Sequence, residues 1–256
     1  MDLGLNGKVA LVTGSSRGIG RAIAASLAAE GASVFVVARG EDGVRETVEA
    51  LRGRGANAAG AAFDLATLEG STRAVEAAVL AFGELDVLVN NAGGSLGVGP
   101  FDTADADAWR RSVDLNLMSA VWCSQAALAP LERAGGGVIV NVTSICGLEY
   151  CTSGPYTAAK GALASLTKEM GVDLAKKKIR VVAVAPGSTM FPGGSWDRRR
   201  IADPERIEKM IASELPWGRF GTPREIADVV TFACSARASW VTGSTIVVDG
   251  AQGRAV

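Results

Sequence analysis

The first forty residues restrict the fold of this chain more than any other stretch, because they place a glycine-rich turn between two apolar runs. Residues 8–13 read KVALVT, a β-branched run typical of a buried strand. Residues 14–20 read GSSRGIG, and apolar side chains then recur every four positions from 19 to 27, as on an amphipathic helix. A second β-branched run covers residues 34–38. The stretch therefore predicts a strand, a helix and a second strand, a unit of about 30 residues.

This context gives the glycine-rich turn a chemical interpretation. Glycines let the backbone approach a pyrophosphate, whose negative charge then lies at the N-terminus of the following helix. The alternative is an ordinary tight strand-to-helix turn, which the two flanking strands make the weaker interpretation. The sequence thus predicts a dinucleotide site formed by Gly14, Ser16, Arg17, Gly18, Ile19 and Gly20.

The residues after the second strand bear on the choice of dinucleotide. An acidic residue here binds the ribose 2′-hydroxyl of NAD, whereas an arginine pairs with the 2′-phosphate of NADP. This chain has Ala38 followed by Arg39, and Arg17 adds a second positive charge. Arg39 as a solvated turn residue, with Glu41 or Asp42 serving NAD, is the alternative. We therefore predict NADP(H), and NAD(H) as the second choice.

Strand-like and helical patterns alternate along the rest of the chain, with no linker or repeat between them. Further strand-like runs end near residue 65 or occupy residues 86–89, 138–142, 179–184 and 244–250. The longest helical patterns occupy residues 100–134, 155–176 and 223–236. This order predicts a single α/β domain over residues 1–256, a doubly wound Rossmann fold. Its seven-stranded sheet is expected to be mostly or fully parallel and flanked by helices.

One segment, residues 188–204, shows neither a strand-like nor a helical pattern. Residues 188–204 are predicted as a long loop, and long loops in a domain of this size tend to be functional. Gly193 and Gly194 offer a hinge, and Phe191 or Trp196 would cover an apolar substrate. A structural flap or an oligomer contact is the alternative. We therefore expect a substrate lid near residues 188–212.

A hydroxyl, a phenol and an ammonium follow the fifth predicted strand. Ser144 comes just after residues 138–142, while Tyr156 and Lys160 lie four residues apart at the start of the next helix, on one helical face. A lysine held close to a phenol favours the phenolate, so we expect Lys160 to lower the pKa of Tyr156. Such a tyrosine can pass a proton to or from a reacting oxygen, and Ser144 can hold that oxygen.

Residues that follow other strands are further candidates. Asp64, next to Leu65, can accept a hydrogen bond from an adenine amino group or can cap a helix. Small residues after the fourth strand, Asn91, Ala92 and Gly93, suit either close approach of a ligand or a plain turn. Asn116 lies among apolar neighbours. It either bonds a bent helix and a water chain leading to Lys160, or is a satisfied core residue.

Composition excludes several other classes of protein. The chain has no histidine, so a Ser-His nucleophile is impossible, and its four cysteines form no Cys-x-x-Cys pair. We therefore expect no metal site and, in a reducing compartment, no disulfide framework. A net charge of −1 gives no electrostatic reason to expect a nucleic-acid partner. Short apolar runs predict no membrane span, and the absence of signal-peptide features at the N-terminus predicts a cytoplasmic location.

The ordered set of these motifs resembles the short-chain dehydrogenase/reductase family over nearly the whole length. The matching positions are Thr13-Gly14-x-x-x-Gly18-x-Gly20, Asn90-Asn91-Ala92-Gly93, Asn116, Ser144, Tyr156-x-x-x-Lys160 and Pro186-Gly187. The resemblance implies a catalytic tetrad of Asn116, Ser144, Tyr156 and Lys160. It also implies cofactor contacts from Asp64, Leu65, Tyr156, Lys160, Pro186 and Gly187, and a homotetramer or dimer.

Three positions depart from the pattern of the family. Eleven residues separate Ser144 from Tyr156, one fewer than usual; Thr143 would restore the count, but Ser144 keeps the Ser-x-x-Gly context. Phe191 stands where the family usually has a threonine, so Thr189 is the candidate to hold the nicotinamide carboxamide. Ala251 follows Asp249-Gly250 where a second glycine is usual.

The resemblance implies an oxidoreductase that transfers a hydride between a nicotinamide and a carbonyl or secondary alcohol. Bacterial 3-oxoacyl-carrier-protein reductase-like members are the nearest in pattern, which suggests a ketone or 3-oxoacyl substrate. The alternatives are an NAD-dependent alcohol, sugar or steroid dehydrogenase and a catalytically silent dinucleotide sensor.

Overall fold

Seven strands form one sheet at the centre of the computed structural model, which describes residues 1–255. Their β-branched and small residues suit a sheet covered on both faces. The strands are β1 (Val9–Thr13), β2 (Ser33–Ala38), β3 (Ala58–Ala62), β4 (Val87–Asn90), β5 (Gly137–Val142), β6 (Ile179–Pro186) and β7 (Ser244–Val248).

All neighbouring strands are parallel, in the order β3-β2-β1-β4-β5-β6-β7. Val12 of β1 pairs with Val36 on one side and with Val89 on the other. The chain first adds β2 and β3 on one side of β1 and then crosses back to add β4 to β7 on the other side. The direction in which strands are added therefore reverses between β1 and β4. A crevice at the carboxyl ends of the strands is expected at such a point. The predicted doubly wound parallel sheet of seven strands is confirmed.

Helices cover both faces of the sheet. They are α1 (Gly18–Ala29), α2 (Glu41–Arg52), α3 (Leu68–Phe82), α4 (Ala106–Val113), α5 (Ser119–Arg133), α6 (Gly154–Asp173), α7 (Ser195–Ala202), α8 (Pro204–Glu214) and α9 (Pro223–Cys234). A five-residue π-helix, Asp114–Met118, joins α4 to α5.

The core consists of two apolar layers, because side chains alternate between the two faces of each strand. In β1, Ala10 and Val12 face the layer beneath α1, α2 and α9. Val9 and Leu11 face the layer beneath α3 and α5. Burial on both faces explains why β1 is a continuous apolar run rather than an alternating one.

Three predicted boundaries were wrong. The segment predicted as a loop over residues 188–204 contains α7 and the start of α8. Asp203 caps α8 by accepting a hydrogen bond from the Arg206 amide, and Ile207 packs with Leu215 and Phe220 in a small separate cluster. The helix predicted over 100–134 begins only at Ala106, and the third strand ends at Ala62.

Among the residues that the structure describes, no helix has both the length and the apolar composition needed to cross a bilayer. Over the same part of the chain, no three His, Cys, Asp or Glu side chains cluster in a way that could hold a metal ion.

Candidate active site

A cleft of about 1180 Å³ opens at the carboxyl edge of the sheet. The turn after β1, the loop after β4, the end of β5 and the start of α6 all line it. A site for one drug-sized ligand measures roughly 300–1,000 Å³. The cleft therefore has room for a dinucleotide and a small substrate together.

The glycine-rich turn forms one wall of the cleft and is tied to the loop after β4. Gly14 adopts a left-handed conformation (φ +63°), and a Cβ atom there would lie 2.9 Å from Ala92 Cα. The Thr13 hydroxyl accepts hydrogen bonds from the Asn91 and Ala92 amides, at 2.8 and 2.9 Å. The Asn91 side chain donates back to the Thr13 and Gly14 carbonyls. Thr13 thus fixes both loops, a role that its motif position did not reveal.

The N-terminus of α1 offers free donors to an anion. No side chain caps this helix, and its first turn contains no acidic residue. The first amides of a helix have no partner within the helix, and the dipole favours negative charge there. Ser16, Arg17, Ile19 and Gly20 line the cleft at this point. These residues fit the pyrophosphate of a dinucleotide.

Phe191 lines the cleft, as predicted for a residue that covers a substrate, and its ring also packs against the glycine-rich turn. A Cβ atom at Gly18 would lie 2.6 Å from the Phe191 ring, so only glycine permits this contact. The Arg17 guanidinium donates to the Gly193 carbonyl at 3.4 Å, and Arg198 donates to the same oxygen. The lid segment is therefore attached to the turn at two points, and Gly18 itself does not line the cleft.

Arg39 lines the far end of the cleft together with Ala38, Gly40 and Ser16. Within the described residues it forms no ion pair. The carboxylate of Asp42 pairs with Arg45 at 2.6 Å, and neither Glu41 nor Asp42 lines the cleft. The charge available at this end is therefore positive.

Asp64 does not line the cleft, although its two neighbours in the sequence, Phe63 and Leu65, do. Its carboxylate accepts a hydrogen bond from the Ala66 amide at 3.1 Å. It is not the helix cap considered from the sequence, since Thr67 caps α3 through the Gly70 amide.

Ser144, Tyr156 and Lys160 converge on the floor of the cleft. The Ser144 hydroxyl accepts a hydrogen bond from the Cys146 amide at 3.1 Å. Ser144 is also close enough to Tyr156 to act on the pKa of the phenol. Lys160 is 3% exposed, and its Nζ donates to the Val142 carbonyl at 2.7 Å. The Lys160 Nζ lies 5.9 Å from the centre of the Tyr156 ring. Thr143 is a poorer candidate than Ser144, because its hydroxyl donates to the Val184 carbonyl.

The expected lowering of the Tyr156 pKa by Lys160 is wrong for this structure. Burial raises the pKa of the phenol, and the hydrogen bond with Ser144 opposes that shift only in part. Burial also lowers the pKa of Lys160 from 10.5 to about 8. The two side chains share a face, as predicted, but the ammonium is held by a backbone carbonyl rather than by the phenol.

Asn116 lies in the π-helix, where the backbone departs from a regular α-helix as one of the two predictions for this residue requires. Its amide nitrogen donates to the Ser112 carbonyl at 3.0 Å and to the Gly94 carbonyl at 3.1 Å, while its oxygen accepts from the Gly94 amide. A Cβ atom on Gly93 would lie 2.7 Å from this oxygen and 3.2 Å from the Lys160 Nζ. Asn116 and Lys160 therefore both adjoin Gly93, and Asn116 does not line the cleft.

The end of β6 completes the cleft with Pro186, Gly187 and Thr189. The Thr189 hydroxyl donates to the Gly187 carbonyl at 3.1 Å, which leaves its oxygen free to accept a hydrogen bond. This position suits the role predicted for Thr189, which is to hold the nicotinamide carboxamide in place of the threonine that the family usually has at position 191.

The expectation of no disulfide is wrong. Cys146 and Cys151 form a disulfide across the short loop that precedes α6, with their Cα atoms 5.3 Å apart. A tight turn over residues 145–147 returns the chain on itself and brings the two residues within bridging distance. Cys123 and Cys234 are buried and free.

The sequence model of the short chain dehydrogenases matches residues 8–194. The chain belongs to this family. Dehydrogenase/reductase SDR family member 4 of Bos taurus is 37% identical to this short-chain dehydrogenase over 249 residues, which cover 96% of the chain and 87% of the relative. The family resemblance is confirmed.

Two solved structures show what similar proteins bind. L-sorbose reductase of Gluconobacter frateurii, complexed with NADPH and L-sorbose, superposes with a TM-score of 0.94 at 33% identity, covering 100% of both chains. A 7α-hydroxysteroid dehydrogenase, complexed with NADH and 7-oxo glycochenodeoxycholic acid, gives 0.91 at 33% identity, covering 99% of this chain and 97% of that one.

As a member of this family, the protein is an NAD(P)-dependent oxidoreductase that acts on a carbonyl group or the corresponding alcohol.

Proposed function

We propose that this short-chain dehydrogenase reduces a ketone with NADPH and that Tyr156 donates the proton. The observation that carries the proposal is that the two hydroxyl-bearing side chains, Ser144 and Tyr156, line one cleft together with Lys160 beside the glycine-rich turn. The phenol of Tyr156 is protonated at neutral pH, and burial raises its pKa further. It can therefore act as the general acid when a ketone is reduced.

Each side chain has a defined part in this reaction. The chemistry supplied by a bound nicotinamide is hydride transfer between its C4 and the substrate carbon. Tyr156 gives its proton to the substrate oxygen as negative charge develops there, and the Ser144 hydroxyl donates a hydrogen bond to the same oxygen. Preorganised donors of this type contribute roughly 2.7–4 kcal/mol each in oxyanion holes.

The two remaining members of the tetrad act behind the reacting groups. Lys160 holds the nicotinamide ribose, because its ammonium is already fixed at the cleft floor by the Val142 carbonyl. Asn116 supports a water relay that returns a proton to Tyr156 through Lys160. Its position beside Gly93 and Lys160 supports this role.

The preference for NADPH rests on Arg39, which is exposed at the ribose end of the cleft without an acidic partner among the described residues. A charge-assisted hydrogen bond to the 2′-phosphate would satisfy it. The adenine contact of Asp64 with Leu65, and the nicotinamide contacts of Pro186, Gly187 and Thr189, are part of the same proposal.

A small-molecule ketone fits the cleft better than a substrate on an acidic carrier protein. Arg198, Arg199 and Arg200 form a run of three basic residues near the cleft, but each of them is engaged locally. Arg198 donates to the Gly193 carbonyl, Arg199 stacks on Trp196 at 4.7 Å, and Arg200 pairs with Asp197 at 2.9 Å. A 3-oxoacyl group is therefore proposed only as a free or small thioester.

The second candidate is an NAD-dependent sugar or steroid dehydrogenase. The similarity to a hydroxysteroid dehydrogenase complexed with NADH favours it. The silent sensor is the weakest candidate, because a binding module has no use for Ser144, Tyr156 and Lys160 gathered in one cleft.

Oxidation of NADPH and of NADH should be followed with a panel of simple ketones, ketoses, ketosteroids and β-keto thioesters. The proposal expects turnover of at least one ketone, with a higher kcat/KM for NADPH. Turnover of sugars or steroids with NADH alone would favour the second candidate. Tight NADPH binding with no turnover of any substrate would favour the sensor.

A homotetramer or dimer is also proposed. Support comes from β7, which is an edge strand with Val247 47% exposed, and from the nearby Trp240, which is 97% exposed. Light scattering after size-exclusion chromatography tests the oligomeric state. The predicted cytoplasmic location stays a prediction, which cell fractionation would test.

A further inference from the structure

The disulfide between Cys146 and Cys151 lies at the mouth of the active site and plays no part in the proposed reaction. Both residues line the cleft, and both are partly exposed. Cys123 and Cys234 are buried, and burial raises the pKa of their thiols to about 11 and about 12. Thiol–disulfide exchange needs access and a thiolate. Of the four cysteines, only Cys146 and Cys151 are accessible to a reagent in solution.

The first half of the loop is held by many contacts. The Gly147 amide donates to the Ser144 carbonyl at 2.9 Å, and the Leu148 and Glu149 amides donate to the Ile145 carbonyl. Gly147 also packs on α6 so closely that a Cβ atom would lie 2.6 Å from the Lys160 carbonyl carbon. This half therefore keeps its position whether or not the disulfide is present.

The second half of the loop, residues 150–153, has few such contacts. Within the described structure, no backbone amide of these four residues donates a hydrogen bond. Tyr150 is 86% exposed, yet residues 150–153 all line the cleft in front of Tyr156. Apart from the Ser153 carbonyl, which accepts a hydrogen bond from the Thr157 amide at 2.9 Å, the covalent bond from Cys151 to Cys146 is the main restraint on this segment. Segments with few buried contacts and hydrogen bonds open most easily.

We propose that Cys146 and Cys151 form a reversible thiol–disulfide modification site whose state controls the order of residues 150–153. A dithiol reductant is the reaction partner. Its thiolate attacks one sulfur of the pair, the protein S–S bond breaks, and a mixed disulfide forms. The second thiol of the reductant then releases the protein. Cys146 and Cys151 each end with a proton, and the reductant leaves as a disulfide. A disulfide oxidant reverses the reaction.

The consequence for catalysis rests on the proposed function. The oxidised pair holds the wall of the substrate site, so the oxidised enzyme has the lower KM for the ketone. Reduction frees residues 150–153 and raises that KM by roughly threefold or more, as loosened loops at active sites do. Affinity for NADPH stays constant, because the glycine-rich turn and Arg39 lie elsewhere in the cleft.

The modification itself is tested without any substrate. Alkylation of the denatured protein, followed by mass measurement, should label two of the four cysteines in the air-oxidised protein and all four after dithiothreitol. Native chymotrypsin digestion should cut after Tyr150 faster in the reduced protein. Equal labelling or equal cleavage in the two states would refute the proposal.

The kinetic test compares KM and kcat of the oxidised and reduced enzyme in the same buffer. The Cys146→Ser/Cys151→Ser double variant should show the high KM in both buffers, and the Cys123→Ser control should keep the wild-type response. An enzyme whose cleavage by chymotrypsin responds to dithiothreitol while its KM does not would refute control of the substrate site. If no substrate is turned over, the proposed function has failed, and labelling and digestion alone decide on the modification.

Discussion

Replacing Lys160 with methionine should change the pH dependence of stability by an amount that the structure allows us to calculate. Lys160 is 3% exposed, and burial lowers its pKa from 10.5 to about 8. Between these two values the unfolded chain binds a proton that the folded chain does not, so wild-type stability rises with pH in this range. At neutral pH, the buried charge destabilises the folded state by about 3 kcal/mol.

The contribution of Lys160 to the free energy of unfolding rises by about 2 kcal/mol between pH 7 and about pH 9.5. Over this interval the folded protein loses the Lys160 proton, while most of the unfolded chain still holds it. Methionine fills a similar volume and cannot titrate. Other titrating groups contribute equally to both proteins. The unfolding free energy of Lys160→Met relative to wild type should therefore fall by about 2 kcal/mol over this range.

Urea unfolding, followed by tryptophan fluorescence at the two pH values, measures this difference. The exposed Lys176→Met variant is the matched control and should keep the wild-type pH dependence. Equal pH dependence in wild type and Lys160→Met would show that the ammonium is not buried in the way described, and the assignment of Lys160 to the cleft floor would fall with it.

Three further substitutions test the proposed reaction. Tyr156→Phe removes the proton donor and should lower kcat by about 10²–10⁴ with little change in the NADPH dissociation constant, measured by nucleotide fluorescence; a wild-type rate would exclude the role. Arg39→Asp should lower kcat/KM for NADPH by about ten- to a hundredfold and reverse the cofactor preference, and an unchanged ratio of the two specificity constants would count against the 2′-phosphate contact. Phe191→Ala uncovers Gly18 and should raise the NADPH dissociation rate about tenfold, equivalent to about 1.4 kcal/mol, in stopped-flow displacement; an unaltered rate would show that the ring does not retain the cofactor.

The sequence predicted the sheet well because its signals are local. Each strand is a short β-branched or alanine-rich run, and the glycine-rich turn combines motif and flanks within one unit. Tyr156 and Lys160 were predicted as partners for the same reason, since they share a helical face by spacing alone, whereas the tetrad with Asn116 was implied by the family resemblance. Their convergence with Ser144 follows from the parallel order of the strands, which brings carboxyl ends to one edge.

The main failures have different physical causes. The sign of the Tyr156 pKa shift is set by enclosure of the phenol, which spacing does not report. Helix α7 buries none of its residues, so its sequence has no apolar stripe from which a helix could be predicted. The disulfide depends on a turn at residues 145–147, whereas its predicted absence depended on a reducing compartment and not on geometry.

The π-helix at Asp114–Met118 makes the length of the chain critical at this point. A π-helical turn contains one residue more than an α-helical turn. Removing the extra residue would restore continuous α-helix while the helices on either side keep nearly the same faces, because the wider turn only takes up that residue. Helix α5 would therefore keep Ser124 in hydrogen-bonding distance of Asn90, the contact that is 3.0 Å long in this structure. Asn116 would lose the irregular backbone from which it contacts Gly94, so a deletion in this stretch would change the neighbourhood of Lys160 and leave the packing of α5 on the sheet in place.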